Sequence, residues 1–549
     1  MSTFEEASRD ATTGAGDGSF FARQATGLVR EGKAYDAFIY NVMWSGGALT
    51  LAFMYLLVPT LYPAANLPIT VLIAATLGIG GAFLYALLTT LMPRTGGDYV
   101  FVSRTIHPFL GFAANFSYVF WNMVVVGVYA TFMSTYGAGA LLRMLVGYGA
   151  SDSLLSTADW FASDWGIFIT GVVMTLVAAA TFILGGTQFF FRLQQGTFVL
   201  YIIGAFLLVV LVGLFTSHAS FLGSFNEYAQ NLGTSNGAAN VAEGAKKAGY
   251  SDTGYTAHDT IKAVSVAWFI FGFIYSSNYF AGEIKTGRRT QFYAIPGAVV
   301  AVVLLLLITI PSFQHMAGRD FINQLGTADP ATYGFAAGAP AYPEIAAIGS
   351  GSPILGFIII LGFLGGIVAW LPMTMMLASR CFLAWSFDKV MPEKLSEVDE
   401  RTHSPIIAVL IVALLYILSI AAYAFTDWFT TLTVLFPETL TLLVVALAGA
   451  ILPYRRRELY ESSARARRVL GLPLLTVVGI LAFVGFLIAE IILLTDPGSG
   501  TSITENPRIV LISLGIFFGV GPLIYFGSRA WRRSQGIDLD LAYAEIPPE

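Results

Sequence analysis

Tyr40-Asn41-Val42-Met43-Trp44-Ser45-Gly46-Gly47-Ala48-Leu49 interrupts an apolar run long enough to cross a bilayer. Each of the adjacent glycines costs roughly 1 kcal/mol of helix stability against alanine. In lipid, a freed backbone N–H or C=O costs more still unless protein or a wet cavity satisfies it. A break here therefore suggests a cavity with a solute bound in it. The half-helix after the break would aim its N–H groups at an anion such as a carboxylate. The half-helix before it would offer free carbonyls to an ammonium group or a cation. The competing explanation is close helix packing through small residues, common in membrane bundles.

Working outward, further apolar runs follow one another along all 549 residues. They read as twelve membrane spans at 38–58, 70–92, 109–145, 164–184, 193–215, 261–281, 292–313, 354–387, 406–425, 428–453, 471–495 and 508–530. Only 11% of residues are charged, against about a quarter in a soluble domain, so most of the surface faces lipid. The single cysteine, Cys381, excludes an internal disulfide, and no His/Cys cluster offers a metal site. The net charge of −5 gives no reason to expect a nucleic-acid partner. No catalytic constellation is present, so an enzyme is not expected.

Charge distribution gives the orientation. With the N-terminus inside, 23 of the 29 basic residues fall on the inner side. The chain is thus expected to be a multi-pass cell-membrane protein with both termini cytoplasmic. The first forty residues carry Glu5, Glu6, Asp10 and Asp17 and lack the pattern of a signal peptide. The expected organisation is a cytoplasmic segment 1–37, a ten-helix core 38–453, two additional spans within 454–530 and a cytoplasmic tail 531–549. Two long polar outer segments, 216–260 and 314–351, read as caps over the entrance.

The sixth run repeats the feature of the first. Trp268-Phe269-Ile270-Phe271-Gly272-Phe273-Ile274-Tyr275-Ser276-Ser277-Asn278 places one glycine among aromatics, followed by three small polar residues. Inverted-repeat transporters carry broken helices at corresponding positions of their two halves. The first and sixth spans correspond in a five-plus-five arrangement.

Three segments at the inner helix ends carry a family resemblance. Pro93-Arg94-Thr95-Gly96-Gly97-Asp98-Tyr99 resembles the Pro-x-x-Gly-Gly-x-Tyr segment of the amino acid–polyamine–organocation (APC) superfamily. Glu283-Ile284-Lys285-Thr286-Gly287-Arg288-Arg289 is similar to that family's Glu-x-Lys-Asn-Pro-x-Arg segment. Ser379-Arg380, Asp388-Lys389-Val390-Met391-Pro392 and His403-Ser404-Pro405 resemble the end of its eighth span and the loop beyond. The resemblance implies a LeuT-type fold: an all-α membrane protein with a 5+5 inverted repeat plus two C-terminal helices. It also implies a permease for amino acids, polyamines or related amines.

Carried residue by residue, the resemblance makes Ser45, Gly46 and Gly47 the carboxylate contacts. Trp44 departs from the family's glycine there and would narrow the pocket or act as a thin gate. Phe269 falls where relatives place an aromatic gate, and an ordinary core or lipid-facing aromatic is the alternative. Ile270 and Gly272 fall where carbonyls would meet the α-amino group. Tyr275 stands where some antiporters carry a glutamate.

This lining holds no charge and suits a neutral amino acid with an apolar or aromatic side chain. Exchange of polyamines or cationic amino acids is the alternative, and a transporter-like nutrient sensor is an alternative of another class. No cofactor is expected beyond a coupling proton or sodium ion. The fifth run lacks the lysine that some proton-coupled relatives use. Glu438, beside Pro437, is the best buried carboxylate, and low dielectric suits such a group to proton coupling; a structurally paired glutamate, or one facing an outer vestibule, is the alternative. Thr374 and Ser379 could supply hydroxyls to sodium. Glu283, Lys285, Arg289, Arg380 and Asp388 could pair as a cytoplasmic gate, or the basic members could serve only as topology signals. Membrane lipids are expected partners, and the Arg455–Arg468 cluster is expected to meet anionic headgroups.

Overall fold

The computed structural model describes residues 27–285, 287–335, 338–463 and 465–543, with the side chains of 287–289 also outside the described set. Among the described residues, twelve helices are long and apolar enough to cross a membrane. Spans 1 to 5 are Ala34–Leu61, Leu67–Leu91, Pro108–Gly147, Asp164–Leu184 and Gly186–Phe215. Spans 6 to 10 are Ala257–Tyr279, Thr290–Ala317, Pro353–Phe387, Ile406–Phe425 and Leu435–Arg455. Spans 11 and 12 are Leu474–Thr495 and Pro507–Ser534.

The first helix of each five-span repeat is discontinuous. Span 1 is helical over Ala34–Trp44 and again over Gly47–Leu61, and Gly46 between them adopts φ 59°. This left-handed conformation is one that glycine takes without the penalty a Cβ would bring. Span 6 is divided into Ala257–Lys262, Val264–Ala267 and Phe269–Phe273, followed by 3-10 turns at Ser276–Tyr279 and Ala281–Glu283. Corresponding members of the two repeats pack on one another, span 2 on span 7, span 3 on span 8 and span 4 on span 9. Span 11 lies against spans 2 and 10. Spans 5 and 8 touch backbone to backbone, since a Cβ on Gly362 would meet the Gly204 main chain. Small residues permit this approach where no hydrophobic effect drives helices together in lipid.

Span 10 begins seven residues later than its hydropathy suggests. Asp427–Thr430 is a separate short helix, and Thr430 and Thr431 turn their hydroxyls onto the carbonyls of Asp427 and Trp428. Such side-chain bonds compete with helix continuation. Glu438 consequently sits in the first turn of span 10.

The N-terminal segment from Gly27 and the C-terminal segment to Tyr543 meet the same ends of the bundle, called here the terminal face. Gly32 pairs with Ile284, and Tyr543 reaches Tyr99. At the opposite, cap face the two long loops are helical, at His218–Asn231, Gly237–Lys247, Arg319–Thr327 and Tyr342–Gly349. Arg143 at the end of span 3 binds Glu344 through Nε and Nη2, at 3.1 and 2.8 Å. The Tyr228 hydroxyl donates to the same carboxylate at 3.1 Å. This buried pair fastens both cap loops to the bundle.

Candidate substrate site

At the break in span 1, neighbouring helices bond backbone groups on either side of Gly46, whose own N–H donates to the Met43 carbonyl at 2.9 Å. The Trp370 indole N–H, from span 8, donates to the Met43 carbonyl at 2.8 Å. The Ala48 N–H donates to the Tyr201 hydroxyl of span 5 at 2.9 Å. Ser45 is fully buried and turns its hydroxyl back onto the Val42 carbonyl at 2.7 Å. A Cβ on Gly46 would overlap the Trp370 indole, and one on Gly47 would approach the Tyr201 hydroxyl. The break is therefore filled by an indole whose N–H meets the Met43 carbonyl.

Aromatic rings enclose that indole. Phe269 stacks on Trp370 with centroids 6.1 Å apart and an interplanar angle of 11°. Trp44 lies 6.1 Å from the same ring, and Tyr129 meets it edge-on at 4.6 Å. The Trp44 indole nitrogen has no hydrogen-bond partner among the described residues. Above Phe269, toward the cap face, a cavity of about 730 Å³ is lined by Phe53, Phe132, Tyr136, Tyr423 and Asn506.

The break in span 6 is satisfied by span 3 and by span 1. The Tyr118 hydroxyl lies 3.3 Å from the Gly272 carbonyl and 3.2 Å from the Ser276 hydroxyl. The Ile270 carbonyl accepts the Ile274 N–H at 3.3 Å. Asn41 accepts the Ser277 N–H and donates to the Ser277 hydroxyl, each at 2.9 Å. The two breaks are thus tied to each other. Tyr275 points away from them: its hydroxyl donates to the Gly78 carbonyl at 2.7 Å, and its ring stacks on Tyr85.

Glu438 is completely buried against this second break. Its Oε1 accepts the Asn122 amide at 2.9 Å, while its Oε2 has no partner among the described residues. That free oxygen is 3.4 Å from where a Cβ would stand on Gly272. The site region therefore contains a carboxylate, which the uncharged lining read from spans 1 and 6 alone does not include. Thr374 and Ser379 turn their hydroxyls onto carbonyls of their own helix, at Leu371 and Met376.

The terminal face is closed by ion pairs. Arg380 forms a fork with Glu283, Nε to Oε1 and Nη2 to Oε2 at 2.8 Å each, and Nη2 also reaches the Thr187 hydroxyl at 2.7 Å. Asp388 pairs with Arg104 at 2.6 Å, so the residues expected at the gate fall into two separate ion pairs. The Lys285 backbone N–H bonds the Gly32 carbonyl at 2.8 Å, in the strip that joins the N-terminal segment to the end of span 6. The side chain of Arg289 lies outside the described residues. A short buried helix between spans 2 and 3, Asp98–Thr105, carries Arg104 and Asp98. The Asp98 carboxylate accepts the Tyr279 hydroxyl at 2.6 Å. Burial pushes its pKa up from 3.8 to about 6, opposed by the hydrogen bonds from Tyr279 and Tyr85.

Trp370, Tyr201, Tyr118, Asn122 and Arg104 complete these sites without having been singled out in the sequence. Asn122 carries a usable signal, a polar side chain inside an apolar span; a tryptophan in an apolar run carries none. No curated protein sequence matches the chain. The family model for amino acid permeases matches residues 35–518. With its twelve apolar helices, the chain belongs to the amino acid permease family of the APC superfamily, a family of transporters rather than enzymes.

Proposed function

We propose that this permease is a secondary active transporter of neutral or hydrophobic amino acids, working by alternating access around the breaks in spans 1 and 6. The observation that carries the reading is the Trp370 indole N–H on the Met43 carbonyl. An amino acid entering from the 730 Å³ cavity would displace that indole and present its α-ammonium group to the freed carbonyl. Its carboxylate would face the N-terminus of the second half-helix at Gly47, where the helix dipole favours an anion. The rings of Trp44, Trp370 and Phe269 would surround an apolar side chain.

In this reading the terminal face is cytoplasmic, and Glu438 takes up the coupling proton. A carboxylate buried with one oxygen unpaired is costly unless a proton or a cation neutralises it. The same observation favours a second reading, in which Glu438 receives the ammonium group of a cationic amino acid or polyamine. Aromatic rings beside a carboxylate suit such a cation. Uptake by purified protein in liposomes separates the two. Under the first reading, labelled leucine or phenylalanine accumulates, and Glu438→Gln abolishes the effect of a proton gradient while leaving exchange. Preferential uptake of lysine or putrescine, lost in Glu438→Gln at every pH, would establish the second.

A further inference from the structure

The C-terminal segment Leu539–Tyr543 forms a 3-10 turn in which Leu539, Ala542 and Tyr543 are buried. The Tyr543 hydroxyl lies 2.9 Å from the Tyr99 hydroxyl. The Arg104 guanidinium stands over the Tyr543 ring, 4.7 Å from its centroid. Arg104 Nη2 also reaches the Ala542 carbonyl at 3.5 Å. Arg456, at the end of span 10, donates to the carbonyls of Tyr543 and Arg104 at 3.3 and 2.8 Å. An ion pair from Arg529 to Asp540 returns the segment to span 12.

Tyr99 and Arg104 both belong to the Asp98–Thr105 helix, and that segment contacts the ends of spans 6 and 8 at the terminal face. The Gly96 N–H donates to the Tyr279 carbonyl at 3.0 Å, and Asp98 accepts the Tyr279 hydroxyl. Tyr279 lies in the 3-10 turn that follows the break in span 6. Arg104 in turn grips Asp388 beyond span 8. The C-terminal turn therefore braces the element that ties span 6 to the scaffold.

We propose that Leu539–Tyr543 is a bolt on the terminal-face gate, which opens more readily when this turn leaves the Asp98–Thr105 helix. The turn is suited to reversible release: it is five residues long, it docks through the side chains of Leu539, Ala542 and Tyr543 and a few polar contacts, and Asp540 and Leu541 stay exposed. The inference is independent of which solute the permease carries.

Cys381, the single cysteine in the chain, is completely buried on span 8 beside Arg380 and reports opening of this face. The test is its rate of labelling by a membrane-impermeant maleimide applied to the terminal face of the full protein in lipid vesicles. Three variants are compared with the parent: the chain ended after Asp538, Tyr543→Ala and Tyr543→Phe. Loss of the docked turn is expected to raise the labelling rate about tenfold, the scale of one or two net hydrogen bonds moved between two states. Tyr543→Phe, which loses only a hydroxyl, is expected to show a smaller rise. Should the shortened chain fail to fold, Tyr543→Phe decides the same question. Parental labelling rates in every folded variant, alongside rapid labelling of a Glu283→Gln control, would overturn the proposal.

Discussion

Replacing Glu283 with glutamine removes one charge from a doubly hydrogen-bonded ion pair on the terminal face. In the closed protein the Glu283 and Arg380 side chains are 1% and 0% exposed, and two charge-assisted bonds of 2.8 Å join them. The Thr187 hydroxyl is the remaining partner of Nη2, so Glu283→Gln leaves a guanidinium buried without a counter-charge. Breaking a buried pair in this way costs roughly 3–5 kcal/mol. The lower figure applies here, because glutamine still accepts one hydrogen bond. In an open state water reaches Arg380 and most of that cost disappears, so the change falls mainly on the closed state. About 3 kcal/mol is a shift of roughly a hundredfold in the closed-to-open ratio. Labelling of Cys381 from the terminal face reads that ratio directly, and its rate should rise by roughly the same factor. The reasoning fails if labelling is unchanged while the melting temperature drops, because the pair would then hold the fold together without gating it.

Three further outcomes follow from the geometry. Gly46→Ala places a Cβ at φ 59° against the Trp370 indole and should weaken substrate binding more than tenfold, measured by scintillation proximity; full affinity would remove the span 1 break from the site. Asp98→Asn should alter thermal stability in a pH-dependent way. Burial raises the Asp98 pKa from 3.8 to about 6, so its stability contribution is fully present below the lower value and is lost as pH rises through the upper one. The asparagine variant should therefore lack this fall, amounting to about 3 kcal/mol at most, and parallel melting curves for both proteins from pH 4 to 8 would contradict it. Arg143→Ala and Glu344→Ala should each cost about 3 kcal/mol by stranding the partner under the cap. The double variant should cost clearly less than their sum, whereas additive losses would show that the pair is not coupled.

The twelve spans and the two broken helices are legible in the sequence because they rest on long apolar runs and on glycines within them, an adjacent pair in the first span and one in the sixth, which lipid leaves little freedom to satisfy otherwise. The start of span 10 is less so. Trp428 and Phe429 carry the hydropathy of a span, but the hydroxyls of Thr430 and Thr431 end that helix at once. Within the candidate site, the main-chain break at Gly46 is visible in sequence, and Gly272 marks the end of the helical segment that precedes the second break, whereas the side chains around them are not. Trp370 reaches span 1 from a position 327 residues away, and no local pattern distinguishes it from an ordinary core tryptophan. Tyr275 occupies a suggestive register, yet its ring turns to span 2, since helix phase at a 3-10 transition is not fixed by spacing. Arg104 reads as one of many inner basic residues until Asp388 and Tyr543 are brought to it by the fold.

Solute movement itself is the most direct test. Purified protein in liposomes is given labelled leucine with an inward proton gradient, an inward sodium gradient or neither. Accumulation above equilibrium under the proton gradient, collapsing when a protonophore is added, is the predicted result. Leucine binding with neither net uptake nor exchange under any gradient would contradict transport by alternating access.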